Sequence, residues 1–89
     1  MKNLSVDFLR SFVTIAQTGS YTMCAERLKR TQPAISLQIK KLEEMVGEKL
    51  FSREGNRLTL TLAGSKLLEF GMKILMLNDQ AMAEFGRPQ

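Results

Sequence analysis

Leu9, Phe12, Val13 and Ala16 recur at the i, i+3, i+4, i+7 spacing of a helix with one buried face. The pattern predicts a first helix over 6–17. Ser5 stands at its cap, Asp7 in its first turn suits the helix dipole, and Gly19 supplies a left-handed stop. Tyr21, Cys24, Ala25 and Leu28 repeat the stripe and predict a short second helix over 21–29, capped by Ser20 or Thr22. Cys24 on that stripe reads as a small buried residue. After the turn "KRT", Thr31 caps a third helix that ends at Gly47, with Pro33 in the first turn, where its missing N–H costs nothing. At about 100° per residue, Ile35, Ile39, Leu42 and Val46 share one arc, the expected core face. Opposite lie Pro33, Leu37, Lys40 and Glu44, flanked by Ser36 and Lys41.

From residue 49 the period changes to two. Leu58 and Leu60 alternate with Arg57, Thr59 and Thr61, and "EGN" offers a turn, which predicts a short hairpin carrying Arg53 and Arg57 beside its tip. A fourth helix is expected from a Thr61 cap to about Phe85. It has more apolar residues than one stripe needs. Leu67, Phe70, Ile74, Leu77 and Ala81 are expected to pack on the domain; Leu68, Met72, Leu75 and Met82 are left for the same helix of a second chain. The alternative is one broad stripe packed within a single chain. Gly71 weakens the helix but permits close approach.

The predicted fold class is therefore mostly α: a three-helix core plus a β-hairpin wing, a winged helix-turn-helix, followed by a long C-terminal helix. Such a unit inserts its second motif helix into the DNA major groove N-terminus first. The slim first turn of Pro33, Ala34 and Ser36 suits close approach to base edges, and Glu43, Glu44 and Glu48 stand at the far end, away from phosphates.

Charge strengthens this reading. The 89 residues carry a net +4, and the window 27–57 alone holds eight basic residues against four acidic ones, so the whole excess lies there. Duplex DNA is the first partner to consider, because neutralising phosphates releases counterions. An apolar fraction of 44% with 25% charged residues marks an ordinary globular chain. One cysteine and no histidine leave no ligand set for a transition metal and no His-based catalysis. An enzyme is not expected, nor a cofactor. The segment "LLEFGMKILML" is interrupted by Glu69 and Lys73 and is too short to span a bilayer, so no membrane partner and a cytoplasmic location are expected. A protein-interaction module is the rival from another class. It would more naturally show an aromatic cluster where Ser36 and Lys40 stand.

The segments "LRSFVTIAQTGSYTMCAERL", "TQPAISLQIKKLEEMVGEKLF" and "RLTLTLAG" closely resemble the N-terminal DNA-binding domain of LysR-type transcriptional regulators over nearly the whole chain. The resemblance implies a bacterial, nucleoid-associated regulator that binds a dyad-related site as a dimer through the fourth helix. In full-length members that helix leads to an effector-binding domain, and a tetramer is open to them. It divides the chain into a DNA-binding domain over 1–61, a linker and dimerisation helix over 62–85 and a tail over 86–89. No effector domain, and hence no small-molecule effector site, is expected in this piece.

Carried over position by position, the resemblance implies DNA contacts at Thr31, Gln32, Pro33, Ser36 and Leu37, at Arg53 with Arg57 close by, and at Thr22 toward a phosphate. Arg30 stands where an apolar residue is usual and adds a candidate phosphate contact; Lys40 and Lys41 extend that set. Leucine at 37 cannot hydrogen-bond, so either it meets a thymine methyl or it is an idle exposed leucine.

Overall fold

The computed structural model describes residues 2–86. In chain order the elements are α1 (Val6–Thr18), α2 (Tyr21–Leu28), α3 (Gln32–Val46), β1 (Phe51–Glu54), β2 (Arg57–Leu60) and α4 (Leu62–Glu84). All but Gly86 of the expected tail lies outside the described residues.

Each helix begins where a hydroxyl satisfies a free backbone N–H. Ser5 accepts from Phe8 N, Ser20 from Met23 N, Thr31 from Ala34 N and Thr61 from Gly64 N. Gly19 and Gly47 end α1 and α3 in the left-handed region, at φ 73° and 78°. Lys29, expected inside α2, instead caps it at φ 58°. Together with the bond from Arg30 N to the Ala25 carbonyl at 2.9 Å, this folds the chain sharply into α3.

α1, α2 and α3 pack on one another around Leu9, Phe12, Ile15, Cys24, Ile35, Ile39 and Leu42, all essentially inaccessible to solvent. The Cys24 thiol donates to the Ser11 carbonyl at 3.5 Å, and burial pushes its pKa up, as suits a packing residue. Val46 departs from expectation: it is 37% exposed, because it forms the last turn of α3, beyond the reach of α1 and α2.

β1 and β2 pair antiparallel from Phe51–Leu60 to Glu54–Arg57 around Gly55 and Asn56. The hairpin is fastened at its base. The Glu43 carboxylate accepts from Leu50 N at 2.9 Å, and Thr61 donates to the Lys49 carbonyl at 2.6 Å. Glu43, expected only as an acid kept away from DNA, thus ties the end of α3 to the start of the wing.

α4 lies along α1, and its buried positions are Gly64, Leu67, Gly71 and Leu75. At Gly71 an added Cβ would come within 3.3 Å of Val13 Cγ2 and 3.6 Å of Leu9 Cδ2. This revises the expected division of the helix. Leu75, reserved for a partner, is 8% exposed in the core, and Leu68 packs against it, while Met72 and Met82 are exposed. Phe70 and Leu77, expected to pack on the domain, are 63% and 61% exposed, and Ala81 is exposed as well. Gly71 meets α1 and Gly64 meets the hairpin base at Leu50 and Leu60, and with this face turned inward the Phe70–Leu77 row lies outward. Near the far end, Arg10 of α1 pairs with Asp79 at 2.8 Å, and this bond holds the Asp79 carboxyl below its usual pKa.

Candidate nucleic-acid interface

On α3 the residues left over from the core form two adjacent rows at four-residue spacing. Gln32, Ser36 and Lys40 make the row nearer the hairpin; Pro33, Leu37 and Lys41 make the next one outward. Both rows are accessible, Ser36 partly so. Within the first row Gln32 Nε2 donates to Ser36 Oγ at 2.9 Å. Two of the expected base readers therefore start as each other's partners, with their remaining donors and acceptors turned to solvent. Leu37 is 51% exposed between Pro33 and Lys41, with an apolar surface to offer.

Across from the first row runs β1. Between them lies an open groove of about 400 Å³. Gln32, Ser36 and Lys40 form one wall, and Ser52 and Arg53 the other. The groove brings together four of the sequence-predicted residues: Gln32, Ser36, Lys40 and Arg53. Thr22, Thr31, Pro33, Leu37, Lys41 and Arg57 are exposed outside it. Arg30 is not brought to it either; it borders a hollow against α1 with Asp7, Arg10 and Ser11.

The groove also contains residues that sequence reasoning missed. Tyr21 lies there, its ring 6.0 Å from that of Phe51, and Phe51 leans in turn on Phe12 at 5.3 Å. Ser52 and Lys49 complete the hairpin side. The spacing of Tyr21 fits the core stripe, yet a tyrosine on a stripe end is itself a signal, since its hydroxyl seeks a polar boundary. Desolvation raises its pKa above 10.0, and the Glu43 carboxylate adds to that. Glu43 is largely satisfied, by Leu50 N at 2.9 Å and the Lys49 ammonium at 3.8 Å.

Behind α3 a part-buried hydrogen bond ties it to α1. Ser11 of α1 donates to the side-chain carbonyl of Gln38. Ser11 is inaccessible, so this bond is the polar registration mark in an otherwise apolar helix contact. Among the described residues no group of three or more His, Cys, Asp or Glu is placed to hold a metal. No helix among them is long and apolar enough to cross a membrane.

Residues 6–65 match the family model described as bacterial regulatory helix-turn-helix protein, lysR family. The chain is 43% identical over 83 residues to the HTH-type transcriptional regulator DgdR of Burkholderia cepacia, covering 93% of this chain and 28% of that protein. Among solved structures it resembles BenM_DBD in its complex with catB site 1 DNA, with a TM-score of 0.87, 31% identity and 94% of each chain covered. It likewise resembles the CbnR_DBD–DNA complex, with a TM-score of 0.83, 31% identity, and 91% of this chain and 93% of that one covered. The chain thus spans about a quarter of the length of the curated relatives it matches.

Proposed function

Because the chain belongs to the lysR family of bacterial regulatory helix-turn-helix proteins, we propose that it is the sequence-reading, DNA-binding part of a transcriptional regulator. It acts in the cytoplasm on the nucleoid and is not an enzyme. The observation that carries this reading is the pair of small, polar and basic rows on α3 facing out beside an arginine-bearing hairpin. That surface fits a major groove with the wing laid in the adjoining minor groove. The neighbours whose solved structures are DNA complexes support it.

In this reading Gln32 and Ser36 exchange their mutual hydrogen bond for base edges, Gln32 pairing with adenine bidentately. Pro33 and Leu37 supply apolar contacts, Leu37 against a thymine methyl. Arg30, Thr31, Thr22, Lys40 and Lys41 position the backbone; Arg53, with Arg57 beside it, reads the width of the minor groove. Residues 62–85 act as the linker and dimerisation helix, so that two copies read half-sites related by a dyad. Any effector acts through a further domain of a longer protein.

The test is selection of bound sequences from random duplex DNA, followed by affinity measurements at two salt concentrations. Gln32→Ala should cost about 1–3 kcal/mol on the selected site and relax preference at one base pair. Lys41→Ala should weaken all duplexes alike and lower the salt slope by about one. Unchanged discrimination in Gln32→Ala would remove it from the base-reading set.

A further inference from the structure

Tyr21 lies in the groove but has no part in the base and backbone contacts proposed for α3 and the wing. Its ring, stacked edge-on against Phe51 and through it on Phe12, is held half-buried at the floor between α3 and β1. Among the described residues its hydroxyl takes part in no hydrogen bond. Burial and the neighbouring Glu43 carboxylate raise the phenol's pKa, so at neutral pH the group is a protonated donor. Glu43 also lines the groove, its carboxylate accepting from Leu50 N and lying 3.8 Å from the Lys49 ammonium; the rest of the lining supplies donors, among them the Tyr21 and Ser52 hydroxyls, the Lys40 ammonium and the Arg53 guanidinium.

A set of converging donors, two of them cationic, suits an anion with several acceptor oxygens. With α3 in a major groove and the hairpin in the adjoining minor groove, what lies between the two is necessarily a sugar–phosphate strand. That strand crosses the gap between α3 and β1.

We propose that Tyr21 donates from Oη to a phosphodiester oxygen of this strand, and that the groove seats a single backbone phosphate between Tyr21, Ser52 and Lys40, with Arg53 beside it continuing into the minor groove. The proposal rests on the DNA-binding reading and deepens it. The phosphate fixes the register of α3 against the wing, since the same strand is gripped from both elements.

The experiment is Tyr21→Phe, which keeps the ring and its stack and removes one oxygen. Thermal unfolding should be unchanged. Affinity for a selected duplex and for a random-sequence duplex should fall by the same factor, about two- to tenfold, as for one lost hydrogen bond. The salt slope should stay where it was, because a neutral phenol displaces no counterion, whereas Lys40→Ala should lower it by about one. Ethylation of one phosphate between the base-read and minor-groove segments should weaken binding by the unsubstituted chain and have a smaller effect on Tyr21→Phe.

Equal affinities of the two proteins with equal thermal stability, or the same ethylation penalty in both, would overturn the assignment. So would a loss confined to one sequence. If the unsubstituted chain bound neither duplex, the DNA-binding reading itself would fall with it, an outcome distinct from duplex binding that ignores Tyr21.

Discussion

Gln38 shows how one residue behind an interface can govern the residues in front of it. On α3 it lies outside the arc of Ile35, Ile39 and Leu42, and periodicity alone marks it as neither core nor contact. Its bond with buried Ser11 favours the same rotation of α3 against α1 as the buried arc does, the one that turns the two outer rows to solvent. Removing one partner leaves the other desolvated and unpaired. Gln38→Leu should therefore destabilise the fold by about 1–3 kcal/mol, while combining it with Ser11→Ala should recover much of that, since both polar groups go together. Chemical denaturation of the four members of the cycle measures the coupling, and additive losses would show that the bond contributes nothing specific. Glu43 teaches the same lesson from the other end of the helix. Its sequence neighbours Glu44 and Glu48 make it look like one of a set of surface acids. Its partners, Leu50 N and Lys49, come from the chain beyond the next turn, and nothing local announces them.

Elements are the legible scale, because what begins and ends them is local. Ser5, Thr31 and Thr61 cap within three residues of themselves, and Gly19 and Gly47 stop their helices through their own backbone conformation, so each boundary is written in a few adjacent positions. The exception at Lys29 has the same origin: no glycine marks that turn, and a lysine takes the left-handed conformation instead. What stays illegible is which face of α4 meets the domain, since both stripes fit helical spacing and the choice depends on backbone approach. Gly64 records that choice. A Cβ there would stand 2.1 Å from the Leu50 carbonyl oxygen and 2.9 Å from Leu60 Cδ2. The first of these is backbone, which cannot step aside without unseating the hairpin base. Gly64→Ala is expected to cost about 1–3 kcal/mol or more despite alanine's better helix propensity. Gly71→Ala, with side-chain atoms at 3.3 Å and 3.6 Å, should be tolerated far better. Midpoints of denaturation for the two variants give the comparison, and equal losses would mean that the crossing at Leu50 is not the tight point.

At the scale of the molecule, α4 is a 23-residue rod of which only the first part is used by the domain. The extents of 45 × 31 × 18 Å reflect it. Beyond Leu75 the chain's own contacts dwindle to the Arg10–Asp79 pair, an exposed ion pair of small consequence. Yet apolar residues continue: Phe70, Leu77, Met82 and Phe85 are all exposed. With Ile74 and Ala81, Phe70 and Leu77 recur at spacings of four, three and four, the seam of a two-helix coil. Within one domain only Ile74 of that seam packs on the core, whereas two copies joined along it would hold two recognition helices at one fixed separation, which a dyad-related site requires. On this reading the proposed dimer surface is the Phe70–Leu77 row rather than the expected row of Met72 and Met82, which is exposed as well. Leu77→Glu should leave the monomer's unfolding transition nearly unchanged and abolish self-association in sedimentation equilibrium. Met72→Glu, on the other flank of α4, should leave association intact. Half-site binding should persist in Leu77→Glu while the affinity gained from a second half-site disappears, because that gain comes from linkage and not from new contacts. If Met72→Glu were the variant that dissociated, α4 would pair through its other flank, and the two recognition helices would be set at a different separation.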